Sequence, residues 1–220
     1  MATFLALFFI CFLALFLLPE CVKIGITNPK EAISMKQKIS TRKIVLAALM
    51  AALTVVGSGL RVTIPVDIGG NTAFHLGNIM CALSGLLLGP GLGGLAAGLG
   101  SAIYDMTNPL YISEAWLTFL MKGSYGLMAG LVAWAGSKNW GYFKAILGAL
   151  SGAVTYGLLY LGKTYCKAMF IQGVAHEAAL IAVGAKLPAT IFNAAVAVIF
   201  APILGIAIRK ALEKNHLHLD

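Results

Sequence analysis

Gly85-Leu-Leu-Leu-Gly-Pro-Gly-Leu-Gly-Gly-Leu-Ala-Ala-Gly-Leu-Gly-Ser-Ala-Ile-Tyr-Asp105 is the stretch that decides the fold. Two apolar, glycine-rich segments flank the turn Gly89-Pro90-Gly91, and the second ends on a carboxylate. In water so much glycine costs helix stability. In lipid, where each backbone polar group must bond within its own segment, the same composition lets helices pack closely through small residues. A membrane bundle of this kind, with its polar residues held at segment ends, points to the handling of a solute.

Composition agrees. The 220 residues have a mean hydropathy of +0.89 and are 60% hydrophobic. Only 11% are charged, against roughly 25% in soluble domains. The chain reads as an integral membrane protein with one main domain. Its net charge of +8 is spread over short clusters at segment ends, with no basic stripe or binding motif. Membrane orientation accounts for that pattern better than nucleic acid does. Cys11, Cys21, Cys81 and Cys166 have no metal-ligand spacing and no CxxC, so neither a disulfide nor a metal site is expected.

Residues 1–18 form one apolar run. They admit three readings: a signal peptide, though without a basic n-region or an A-x-A site; an extra membrane helix at the short limit of length; or sequence ahead of a natural start at Met35. Residues 1–34 are therefore set apart as a hydrophobic segment and linker, 35–214 as the membrane domain, and 215–220 as a C-terminal tail.

Apolar runs with turn signals predict six spans, over about 42–64, 75–89, 91–106, 115–136, 143–162 and 186–208. The expected fold is an all-α bundle of six transmembrane helices, with or without the extra N-terminal helix. If residues 36–43 face the cytoplasm, that side holds Lys36, Lys38, Arg42, Lys43, Lys138, Lys144, Arg209, Lys210 and Lys214. Arg61, Lys163, Lys167 and Lys186 fall outside. The asymmetry places the C-terminus in the cytoplasm of a plasma-membrane protein. Asp67, Asp105, Glu114 and Glu177 also fall on the outer side, so capture of a solute from outside is expected.

Lys122 is the sharpest candidate. It lies about eight residues into the fourth span, where a charge costs about 2.5–3.5 kcal/mol on insertion scales and calls for a partner or a wet cavity. The bland alternative is a lysine that snorkels to the interface. Glu114, Thr118, Lys122 and Tyr125 share one helix face. Asp105 and Asn108 either end a helix in a turn or bind ligand. Asn71, His75 and Asn78 sit where the first loop meets the second span, as helix caps or as ligand contacts. Asn193, mid-span, bonds across helices or faces a ligand. Tyr104, Trp116, Tyr125, Tyr156 and Tyr160 belong either to the aromatic belt or to a stacking surface. Ala47, Ala48, Ala51 and Ala52 form small-xxx-small pairs that admit a close helix, from this bundle or from a partner.

No HExxH, GxSxG or P-loop occurs. No catalytic residue is assigned, no cofactor is expected, and active uptake would need a partner that supplies energy.

A basic start and an alanine-rich first helix with AxxxA precede HLGNIMCALSGLLLGPGLGGLAAGLGSAIYD; TFLMKGSYGLMAGLV and KLPATIFNAAVAVIFAPIL follow. In this order and in these motifs, over residues 36–212, the chain resembles the S components of energy-coupling factor (ECF) vitamin transporters. The branch concerned takes ligands of riboflavin, pyridoxine or hydroxymethylpyrimidine type. The resemblance implies six helices and an outward pocket closed by the 61–75 loop. It also implies docking through Ala47, Ala48, Ala51 and Ala52 onto a membrane coupling subunit (T component) that carries two cytoplasmic ATPases. Asn71, His75, Asn78, Asp105, Glu114, Lys122, Tyr125, Tyr156 and Asn193 become the pocket candidates. The competing reading is a self-contained secondary transporter of a small polar metabolite, which would need inverted repeats and broken helices.

Overall fold

The computed structural model describes residues 40–65, 71–136 and 140–215. The expected N-terminal segment 1–34, the tail beyond Asn215, and the charged residues Lys36, Lys38, Asp67 and Lys138 lie outside them. Val45–Asp220 form one compact unit; Met1–Ile44 are a separate one, of which only residues 40–44 are described.

Among the described residues five helices and one hairpin follow one another: α1 (Thr41–Gly59), β1 (Arg61–Ile64), β2 (Thr72–His75), α2 (Gly77–Thr107), a 3-10 turn (Ile112–Glu114), α3 (Ala115–Ala133), α4 (Tyr142–Cys166), a π turn (Lys167–Ile171) and α5 (His176–Lys214). Among the described residues the expected second and third spans are the two arms of one element, α2, so the helical elements number five. That element is folded on itself. Gly89 takes φ 77° and ψ −175°, a conformation open to glycine at little cost. Pro90 follows it and has no N–H to give to a helix. Cys81 Sγ and Ser101 Oγ lie 3.7 Å apart, although 20 residues of straight helix would span about 30 Å. Ser84 Oγ likewise donates to the Gly93 carbonyl at 3.0 Å. The two arms of α2 therefore run back to back.

This double arm is the centre of the molecule. Leu83, Leu86, Cys81, Ala82 and Ala97 are fully buried in it, and α3 packs on it at backbone distance. A Cβ added to Gly85 would sit 2.3 Å from the Gly126 carbonyl oxygen, and one added to Gly126 would sit 2.7 Å from the Gly93 carbonyl oxygen, so each close approach needs a glycine. Trp134 closes the fold of α2, its ring lying against Gly89 and its Nε1 donating to the Leu86 carbonyl at 2.8 Å. Apolar side chains point outward on the surrounding helices, among them Val45 and Val56 of α1, Leu158 of α4, and Ile181 and Ile191 of α5. In water such exposure would be costly; in lipid it is the resting state.

α1, α2, α4 with its π turn, and α5 are long and apolar enough to cross a membrane. α3 has 19 residues, as α1 has, and is interrupted by Lys122, Ser124 and Tyr125. The first expected span is also corrected. Helix α1 stops at Gly59, and residues 61–64 form a strand paired antiparallel with Thr72–His75 in the register Arg61↔His75 and Ile64↔Thr72. Val62, Thr63 and Ile64 are β-branched, and Pro65 ends the strand. The fold is thus not purely α.

Candidate functional site

The end of α1, the hairpin, the end of α2, the start of α3, the end of α4 and the first half of α5 meet at one end of the bundle. They enclose a cavity of about 210 Å³. Each helix gives it a stripe spaced three or four residues apart, as one face of a helix must. The α3 stripe, with the 3-10 turn before it, is Glu114, Thr118 and Lys122. That of α4 is Tyr156, Tyr160, Lys163 and, one turn on, Lys167. That of α5 is Lys186, Thr190 and Asn193.

The hairpin is tied to the opposite wall by one amide. Asn193 Oδ1 accepts the His75 N–H at 3.0 Å, and Asn193 Nδ2 donates to the Ala73 carbonyl at 2.8 Å. Beside it Phe74 and Phe192 meet edge to face at 5.0 Å, and Tyr160 OH reaches the Thr72 hydroxyl at 3.4 Å.

Lys122 enters from below. It is 4% exposed, donates to Asn78 Oδ1, and holds its Nζ 4.2 Å from the centroid of the Tyr156 ring. Snorkelling is therefore excluded: the ammonium stays inside, held by an amide oxygen and a ring face. Tyr125, Tyr156 and Tyr160 form a stacked ladder, with centroids 6.0 and 5.8 Å apart and interplanar angles of 26° and 19°. Flat aromatic surface thus runs from the core to the cavity.

Arg61 forms the opposite corner. Its guanidinium lies 4.3 Å from the Tyr104 centroid and 4.8 Å from that of Tyr111. Its Nη2 comes within 3.9 Å of Asp105 Oδ1, and its Nε donates to the Ser58 carbonyl at 2.9 Å. Glu114 is shared by Lys163, at 2.7 Å, and Lys167. Burial pushes the Glu114 carboxyl up, but Lys163 and then Lys167 outweigh it and hold the pKa at about 2. Burial, then the charges of Lys122 and Arg61, hold the His75 imidazole well below its ordinary value, so it is neutral at neutral pH. His75 Nδ1 and Tyr111 OH, both on cavity-lining residues, are buried with no hydrogen-bond partner among the described residues. Native interiors rarely leave such atoms unpaired.

A family model described as the S component of the ECF-type riboflavin transporter matches residues 38–210. The chain belongs to this family. An uncharacterized protein of Pyrococcus woesei is 33% identical over 114 residues, which is 52% of this chain and 72% of that protein. The crystal structure of the S component for biotin from an ECF-type ABC transporter superposes with a TM-score of 0.53. It covers 81% of this chain and 94% of its own, at 16% identity, and so bears on the fold alone.

In this S component, Asn71, His75, Asp105, Glu114, Lys122, Tyr156 and Asn193 line the cavity. Asn78 and Tyr125 stand one layer behind, Asn78 on Lys122 and Tyr125 under Tyr156. Sequence reasoning missed the cations as cavity residues. Arg61, Lys163, Lys167 and Lys186 were read as outer-side charges, yet all four line it. The signal was present: Tyr156, Tyr160, Lys163 and Lys167 fall at helical spacing, as do Lys186, Thr190 and Asn193. The alanine strip divides. Ala47 and Ala51 pack inward, with the Ala51 carbonyl 2.3 Å from where a Cβ on Gly100 would sit, while Ala48 and Ala52 are exposed.

Proposed function

We propose that this chain captures a small, flat, polar vitamin or vitamin precursor from outside the cell, for ATP-driven uptake by partner subunits. The observation that carries this is the cavity itself. A tyrosine ladder supplies a stacking wall, Lys122 and Asp105 offer hydrogen bonds, and His75 Nδ1 and Tyr111 OH lack partners among the described residues. Ligand sites combine apolar and aromatic walls with a few placed polar groups in this way.

In this reading the ring lies on Tyr156 and Tyr160, and the hairpin held by Asn193 covers it. Riboflavin, pyridoxine and hydroxymethylpyrimidine types are the ligands to try first. The chain catalyses no reaction; a membrane coupling subunit and two cytoplasmic ATPases supply the energy. The excess of Lys and Arg at the opposite end of the helices supports a cytoplasmic C-terminus. The exposed Ala48 and Ala52 are the docking surface for the coupling subunit.

The test is purification of the full chain in detergent, mass spectrometry of co-purifying small molecules, and a tryptophan-fluorescence titration with B vitamins. A stoichiometric ligand bound at nanomolar concentration is the expected result. A folded protein that binds none of them, or that moves solute alone in liposomes under an ion gradient, would overturn the proposal in favour of a self-contained secondary transporter.

A further inference from the structure

The strands of the hairpin are turned the wrong way for a lid that stands in water. Among the residues of the two strands only Arg61 carries a permanent charge. That side chain is turned inward: it lines the cavity and is 13% exposed. Successive side chains of a strand point to opposite faces, so Val62 looks the other way, and it is 68% exposed. Ile64, on the same face of β1, is exposed as well. Opposite Val62 in the ladder stands Phe74, which meets Phe192 of α5 edge to face at 5.0 Å. Phe192 is itself exposed. Thr63 is also exposed, but adds no charge.

The apolar surface does not stop at the hairpin. Val56, in the last turn of α1, and Leu60, just past it, are exposed. So are Met106, Ile112 and Trp116, where α2 ends and α3 begins. All of them lie at the cavity end of the bundle. Exposed apolar residues scattered singly are ordinary. Here they form one face of the element whose only charge is turned inward, and that face adjoins α1 and α5, both long and apolar enough to cross a membrane. Such patches mark contact surfaces. The backbone agrees. On β2 the His75 N–H and the Ala73 carbonyl, which point away from β1, are both taken up by Asn193. In water, solvent can satisfy a strand edge; at membrane depth a protein group must.

We infer that the face of the hairpin made by Val62, Ile64 and Phe74 is a lipid-contact surface, lying against the acyl chains of the leaflet at the cavity end. The cavity beneath it then sits at the depth of that leaflet rather than above the membrane. Trp116, exposed at the same end, marks the interface, where tryptophan collects. Lipid is the occupant because the face merges with helices already turned to lipid and presents no charge that would fix a protein partner. This holds whatever the cavity binds.

The test places a reporter on the face. The full chain carrying Val62→Trp is reconstituted in phosphatidylcholine vesicles with and without bromine on the upper part of the acyl chains. Its emission is read as the difference from the parent, which already carries Trp116, Trp134 and Trp140. The added emission should lie to the blue of tryptophan in water, lose most of its intensity in the brominated vesicles, and scarcely respond to acrylamide in the aqueous phase. Leu60→Trp supplies the same reading should Val62→Trp fail to fold. Quenching by acrylamide but not by bromine would put the hairpin in water and overturn the inference. Quenching by neither would show the face covered by protein, a second copy or another part of this chain, and would overturn it equally. Both of these outcomes leave vitamin capture standing, since no ligand enters the experiment.

Discussion

Asn193 and His75, 118 residues apart in the chain, are joined by a hydrogen bond of 3.0 Å from the His75 N–H to the Asn193 side-chain oxygen. The same amide donates to Ala73. One side chain in the middle of α5 thus replaces the missing next strand of a two-stranded sheet.

Asn193→Ala leaves an N–H and a carbonyl of β2 without partners. The expected loss is about 1–3 kcal/mol of stability and at least tenfold in ligand affinity. Hydrogen exchange should speed up at His75 while amides of the buried arm of α2 stay protected. Unchanged exchange at His75 would show that the hairpin is held by other contacts.

Lys122 tests whether a buried charge serves binding rather than folding. Lys122→Met removes it at similar volume and leaves Asn78 Oδ1 unpaired. Thermal stability should fall by a few degrees and recover in the double variant Lys122→Met, Asn78→Leu, since replacing a buried polar pair by apolar groups is often neutral. Ligand affinity should stay at least tenfold weaker in both. Full affinity in the double variant would remove Lys122 from the site.

Stability should depend on pH in two steps of the same sign. The folded chain holds His75 below its ordinary pKa, so the unfolded chain binds the extra proton. Stability is then complete above about pH 6.5 and declines on acidification by at most ~1.4 kcal/mol per pH unit. Glu114, at about 2 against its usual 4.5, adds a second loss that starts near pH 4.5 and runs down toward pH 2. Unfolding midpoints followed from about pH 8 down to about pH 2.5 should stay level above about pH 5 in His75→Gln, and fall less steeply than the parent's below about pH 4.5 in Glu114→Gln. A His75→Gln profile superimposable on that of the parent would contradict the first step.

Close helix packing makes a steric prediction. Gly85→Ala places a methyl 2.3 Å from the Gly126 oxygen and should cost roughly 1–3 kcal/mol or more through overpacking. Gly184→Ala, on α5 with nothing within 4 Å of the added carbon, should be neutral or slightly stabilising. Equal melting temperatures for the two variants would disprove the backbone contact between α2 and α3.

Docking and folding should separate on α1. Ala48→Trp and Ala52→Trp enlarge exposed positions; they should abolish co-purification with the coupling subunit and leave vitamin binding within about twofold. Ala51→Trp, whose backbone abuts Gly100, should fail to fold. An intact complex in the double variant Ala48→Trp, Ala52→Trp would place docking elsewhere.

Much of this was legible in the chain alone. The Gly89-Pro90 break, the helical segments and the shared face of Glu114, Thr118 and Lys122 follow from local rules that need no neighbour: glycine's freedom, the missing N–H of proline and the 3.6-residue period. Tertiary structure decided the rest. Residues 61–64 read as the tail of a helix because they are apolar; pairing with Thr72–His75 made them a strand, and that partner lies outside any local window. The cationic stripes of α4 and α5 were visible as spacing, but not the direction they face. In lipid a helix is apolar on its outer as well as its inner side, so its sequence carries little information about its rotation. Glycine contacts at backbone distance and one asparagine set that rotation, and with it brought Lys163, Lys167 and Lys186 around the same cavity.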